Sequence, residues 1–184
     1  MSNVTENEHK FWPLRRLTTA ELTTAGLLAA IATVLGFCKI PINELIEIRF
    51  QSLAVAVGGM LMGPGVGAAI GALADILGYL VKPTGPYFPG FTISSLISGL
   101  IFGFLLYKKP TVKRLIAAQV LNTLITSVLL NSLWLSMLYG KGFIAAMIAR
   151  LPKSLVMIPI NVILLTLVLK PVHKAVTVRR GAQA

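Results

Sequence analysis

The chain has 184 residues, 55% of them hydrophobic and 12% charged, with a formal net charge of +11. That balance cannot clothe a globule in polar surface, so the bilayer is the solvent for most of the chain. The apolar runs are too long for strands and do not alternate, which excludes a β-barrel. The basic residues sit in short clusters between apolar segments, which argues against a nucleic-acid binder.

Residues 1–16 read as a polar N-terminal tail ending in FWPLRR, where aromatics and arginines meet as they do at a cytoplasmic interface. A membrane domain is expected over 17–170 and a second cytoplasmic tail over 171–184. Helix one, Leu17 to Cys38, is too long for a signal-peptide core and lacks a clear cleavage site. Cys38 is the single cysteine, so no intramolecular disulfide can form, and it reads as packing. Lys39 to Arg49 reads as a loop. Helix two, from about Phe50 to Met62, falls short of the ~20 residues that span a bilayer, so it is either tilted or partly re-entrant.

Gly63, Pro64 and Gly65 form a tight turn before helix three, about Val66 to Val81. The polar loop KPTGPYFPGF (Lys82 to Phe91) follows, and then helix four, about Phe91 to Tyr107. Lys108, Lys109, Lys113 and Arg114 make a basic connector into helix five, about Leu115 to Leu138. Phe143 to Leu151 has interfacial amphipathic spacing. Pro152 is expected to interrupt it, and helix six to end near Leu169. Six passes place both termini on one side. The N-terminal tail, the connector and the C-terminal tail, with Lys170 at the end of the last helix, hold eleven of the seventeen basic residues, which makes that side cytoplasmic. Lys39, Arg49, Lys82, Lys141, Arg150 and Lys153 fall on the other side.

Enzymatic motifs are absent. There is no Walker A loop, no zinc-protease or nucleophile-elbow motif, and no His or Cys cluster for a metal. The glycine cluster Gly63, Gly65, Gly67, Gly71 lies between apolar helices, and Gly67, Gly71, Ala74 and Gly78 form a stripe for close helix packing. Apart from Glu21 near the start of helix one, Asp75 is the acidic residue inside a predicted membrane helix, where a carboxylate is costly and points to function. Asp75, Tyr79 and Lys82 share a helix face; the plain alternative is a carboxylate bonded within the bundle or paired with Lys82. Arg49 closes the first outer loop and offers a fork for a carboxylate, or else snorkels or pairs with Glu44 or Glu47.

In the loop, Pro83, Pro86 and Pro89 stiffen the chain, Gly85 and Gly90 allow close approach, and Thr84 lies between them. Tyr87 and Phe88 supply flat surfaces. These features predict a rigid lid over a cavity that takes a flat, polar, aromatic ligand. Asn131 and Trp134 are placed to face that cavity, although Trp134 suits an interfacial belt equally. Ala25, Ala29, Ala32 and Gly36 form a small-residue stripe on helix one, for intramolecular packing or for a partner's helix.

The stretch from Glu47 to Lys109, with its start IRF, the turn MGPGVGA, ADILG around Asp75 and PTGPYFPGFTIS, resembles the folate-specific substrate-binding subunits, or S components, of energy-coupling factor (ECF) vitamin transporters. The resemblance is strong over about a third of the chain and implies an all-α, six-helix bundle in a prokaryotic plasma membrane. Its cavity would open outward, and it would have no cofactor and no catalysis of its own. It implies docking, through Ala25 and Ala29 of helix one, onto a transmembrane coupling protein with two ATPases that hydrolyse the ATP. Binding would close the lid, and the bundle would then reorient on that module. The implied ligand is folate or a reduced folate. Asp75 would accept hydrogen bonds from the pterin edge, and Tyr87, Phe88 or Trp134 would stack on it. Arg49, helped by Lys153 or Arg150, would meet the glutamate carboxylates. Another vitamin, such as riboflavin, thiamine or pantothenate, is the alternative ligand. A small membrane enzyme using Asp75, or a scaffold without ligand, are alternatives of another class.

Overall fold

The computed structural model describes residues 18–37, 39–43, 46–83, 87–107, 110–140 and 143–181. The architecture is a helical bundle with one small β-hairpin. Helix α1 (Thr19–Phe37) opens on a capping box. Glu21 Oε2 accepts from the Thr18 amide at 3.0 Å, and Thr18 Oγ1 accepts from the Glu21 amide at 3.3 Å, which satisfies two donors that a helix start leaves free. Residues 1–17 and Cys38 lie outside the described set.

The segment expected to be a loop, Lys39 to Arg49, needs one correction. Strands β1 (Lys39–Asn43) and β2 (Ile46–Arg49) pair antiparallel, with Ile40 opposite Ile48 and Lys39 opposite Arg49. Alternating β-branched residues favour strand pairing. Pro41 is tolerated because a two-stranded ribbon consists only of edge strands.

Helix α2 (Gln51–Met62) is short and central, with every residue from Leu53 to Met60 buried. Gly63 turns the chain with φ 95° and ψ 179°, a region that glycine alone enters freely. Pro64 then takes the first position of α3 (Pro64–Val81), where its missing N–H costs nothing. Helix α4 (Pro89–Leu106) starts the same way.

Glycine lets α2, α3 and α4 approach closely. A Cβ on Gly99 would strike the Gly67 carbonyl, one on Gly71 the Ser95 carbonyl, and one on Gly103 the Pro64 backbone. Gly67, Gly71 and Ala74 are buried, as the small-residue stripe predicts. Gly78 differs, because nothing lies within 4 Å of its would-be Cβ.

The fifth span is continuous but not uniform. Helix α5 (Val112–Asn122) passes through a π segment (Thr123–Leu130) into α6 (Asn131–Tyr139), which ends on left-handed Gly140. Helix α7 (Phe143–Gly181) corrects the expected break at Pro152 and the expected end near Leu169. It is one helix of 39 residues with Pro152, Pro159 and Pro171 inside it. A proline deletes one backbone donor without ending a helix that its neighbours hold. Buried Ser154, Met157, Leu165 and Leu169 anchor α7 on both sides of Pro159.

Among the described residues, five helical runs are long and apolar enough to cross a membrane, and α2 is shorter. Leu22, Leu27, Val34, Leu155, Ile163 and Leu167 are each about 60–70% exposed. An exterior this apolar is solvated by lipid, so the chain is a multi-pass membrane protein.

The stripe on α1 faces inward. Ala29 and Ala32 are 3% and 0% exposed and belong to the core, while Ala25 packs at its edge. Helix α1 packs against α2 and α3, so Ala29 and Ala32 serve intramolecular packing, the first of the two roles weighed for the stripe.

Candidate functional site

A cavity of about 380 Å³ lies among the helices, within the size range of small-molecule sites. Helix α2 contributes Gln51, Ser52 and Val55, and α3 contributes Asp75. Helix α4 brings Phe91, Ser94, Ser95 and Ser98, and α7 brings Ser154, Met157 and Asn161. The fifth span supplies Gln119, Asn122, Thr123, Thr126, Ser127, Asn131 and Leu135.

The π segment explains how one run lines the cavity over such a length. Gln119, Thr123, Ser127, Asn131 and Leu135 recur every four residues. In a pure α-helix each such step drifts by about 40°, so four steps would carry the row roughly 160° around the helix. The wider π turn, with its i→i+5 bonds, takes up that drift in mid-row. The row then stays on one face over a rise on the order of 20 Å, which suits an elongated ligand.

Among the described residues, Asp75 is the one ionisable group that lines the cavity. Its Oδ2 accepts from Thr92 Oγ1 at 2.8 Å and its Oδ1 from Ser95 Oγ at 3.4 Å. Its described partners are therefore hydroxyls of α4, the bundle-bonded alternative; Lys82, the other partner weighed, is exposed at the C-cap of α3. Tyr87 Oη and Thr92 Oγ1 are 3.1 Å apart. Thr92 has one hydroxyl proton and gives it to Asp75, so Tyr87 donates to Thr92. A chain of hydrogen bonds thus runs from the loop to the carboxylate. A carboxylate has about four acceptor positions, so Asp75 keeps acceptor capacity toward the cavity.

The loop's aromatics pack on one another. Tyr79 and Tyr87 are 5.1 Å apart between ring centroids. Phe88 packs on Phe91 at 6.0 Å and on Trp134 at 5.6 Å. Trp134 Nε1 donates to Ser94 Oγ at 2.9 Å, which fastens α6 to α4 at the loop end. Gly90 lies under this cluster, where a Cβ would strike both Phe88 and Trp134.

Of the residues singled out from sequence, Asp75 and Asn131 line the cavity. Tyr79, Tyr87, Phe88 and Trp134 are not among the lining residues, although Phe88 packs on lining Phe91 and Trp134 bonds lining Ser94; the aromatic side chain among the lining residues is Phe91. Pro83 is exposed and Pro89 starts α4. Thr84, Gly85 and Pro86 lie outside the described residues, as do the side chains of Arg49, Arg150 and Lys153. The Arg49 backbone closes β2 two residues before cavity-lining Gln51, and β2 lies against α7. Lys153 immediately precedes cavity-lining Ser154.

Sequence reasoning missed the neutral polar lining, notably Ser94, Ser95, Ser98, Gln119, Asn122, Thr123 and Asn161. The available signal was polar residues at helical spacing inside membrane spans.

Residues 20–169 match the family model described as "ECF transporter, substrate-specific component". The chain is 37% identical to the folate transporter FolT of Clostridium novyi (strain NT) over 67% of this chain and 72% of that protein. It is 30% identical to the riboflavin transporter RibU of Staphylococcus aureus (strain TCH60) over 77% of this chain and 80% of that one. Its fold matches a crystal structure of FolT bound with folic acid at a TM-score of 0.74 and 33% identity, covering 82% of this chain and 93% of that one.

Proposed function

The chain belongs to the family of ECF transporter substrate-specific components, and from that premise we propose that it captures folate outside the cell for an ATP-driven importer. The observation that carries this reading is the cavity: elongated, lined by neutral polar groups and one carboxylate, in the fold of a folate-bound relative. Asp75 offers its remaining acceptor positions to N–H groups of the ligand. Phe91 presents a ring to the flat ligand, and Tyr87, Phe88 and Trp134 close over it. Arg49, helped by Lys153 or Arg150, is the proposed partner of the glutamate carboxylates.

Transport follows from the family. Six passes, counting α2, keep both termini cytoplasmic. The chain docks on a coupling protein with two ATPase subunits, which hydrolyse ATP while the bundle reorients.

Equilibrium titration of variants tests the polar contacts. Asp75→Asn and Arg49→Ala each remove a charge-assisted bond worth about 1.5–3 kcal/mol, so each is expected to weaken folic acid binding at least tenfold, to order of magnitude. Affinities within about 0.5 kcal/mol of wild type for both variants would overturn the contacts. The riboflavin relative supports a second reading. Riboflavin carries no carboxylate, so a riboflavin site would be indifferent to Arg49→Ala.

A further inference from the structure

Between α5 and α7 lies a second hollow, separate from the ligand cavity. This groove of about 550 Å³ is walled by Val162, Ile163, Thr166, Leu167 and Lys170 of α7, with Val112 of α5 on the other side. Ile163 and Leu167 are 66% and 71% exposed, and Val112 is 37% exposed. The Thr166 hydroxyl donates to the Val162 carbonyl at 2.7 Å, so it is satisfied by its own helix and asks nothing of the groove. The wall is therefore apolar up to Lys170, which is exposed at one end.

Length and charge say what fits. From Val162 to Lys170 the helix rises about 12 Å, close to the ~15 Å of hydrocarbon in one leaflet. Lys113 and Arg114 follow Val112, and Lys174 lies one turn beyond Lys170, all of them exposed. The first amides of α5 find no acceptor inside the helix, and Thr111 at its N-cap gives them no side-chain bond. No aspartate or glutamate occurs after Asp75, so neither α5 nor α7 supplies a carboxylate for these cations. Interfacial lysines serve topology in general; Lys170 differs in closing an apolar groove between two helices.

An occupant must carry a chain for the groove and an anion for its end. A free phosphate leaves the groove empty, and a zwitterionic lipid brings a cation of its own. We propose that this groove binds one anionic phospholipid: an acyl chain lies along Ile163 and Leu167, and the phosphate meets Lys170 and the first amides of α5. Basic clusters beside a membrane helix attract such headgroups, and the groove turns that attraction into a site. In the proposed topology this end is cytoplasmic, so the lipid belongs to the inner leaflet. The groove shares no lining residue with the ligand cavity, and the proposal stands whether or not folate is the ligand.

Native mass spectrometry of the full chain in detergent tests this by titration with dioleoyl phosphatidylglycerol, dioleoyl phosphatidylcholine and glycerol phosphate. One phosphatidylglycerol should bind saturably and about tenfold tighter than phosphatidylcholine, since charge-assisted bonds are at stake. Glycerol phosphate should not compete with it. Lys170→Met keeps the stem and removes the charge, and should bring phosphatidylglycerol down to the phosphatidylcholine level. Leu167→Trp fills the groove from an exposed position and should weaken both lipids. Thermal unfolding without added lipid checks that both variants fold, and Lys170→Gln replaces the methionine variant if it does not. Equal binding of the two lipids by wild type overturns the proposal and leaves the groove to a protein partner. A phosphatidylglycerol preference that survives loss of the Lys170 charge, or unchanged binding in Leu167→Trp, overturns it in favour of diffuse attraction by the basic cluster. Displacement by glycerol phosphate overturns it in favour of a free phosphate.

Discussion

At the residue scale, Asp75 joins two jobs. It fixes α3 to α4 through Thr92 and Ser95, and through Thr92 it reaches Tyr87 of the loop. Thr92→Val keeps the shape but removes both links, which leaves the carboxylate and the phenol each short of a partner. Loosened in this way, the loop should release folic acid several-fold faster, and stopped-flow dissociation measures that rate; an unchanged rate would mean the chain of bonds does not hold the loop. Asp75 was legible from sequence because a lone charge in a membrane helix has few explanations. Gln119, Thr123 and Ser127 were not, because their four-residue spacing drifts off one face in an ordinary helix. Only the π segment, invisible in the sequence, keeps that row facing the cavity.

At the element scale, backbone contact sets the geometry of α2, α3 and α4. Gly99→Val would drive a side chain into the Gly67 carbonyl, and overpacking of this kind costs about 1–3 kcal/mol or more. Gly78→Ala meets nothing within 4 Å and also favours the helix. Thermal unfolding in detergent should therefore show a lower midpoint for Gly99→Val and an equal or higher one for Gly78→Ala. The reverse order would contradict the packing described. The glycine stripe was readable from its spacing, but which glycines touch a neighbour was not. The hairpin and the unbroken α7 were missed for related reasons. Short ribbons carry a weak pattern, and proline signals a break most strongly where no tertiary packing supports the helix.

At the scale of the whole molecule, the outside is apolar and the polar groups turn inward, so lipid and ligand are the two solvents of this fold. That inversion was legible in composition alone. The partner surface was not, because small residues serve internal packing and docking alike. With Ala29 3% exposed, Ala29→Trp should lower the unfolding midpoint and abolish folic acid binding. A variant that folds, binds folic acid and fails only to associate with the energising module would return Ala29 to a docking role. The central claim is that this cavity selects folate. Isothermal titration of the purified wild-type chain with folic acid, riboflavin and thiamine tests it most directly. One-to-one binding of folic acid, with neither of the others bound, is the expected result. Binding of riboflavin or thiamine in place of folic acid would keep the transporter and contradict the folate assignment.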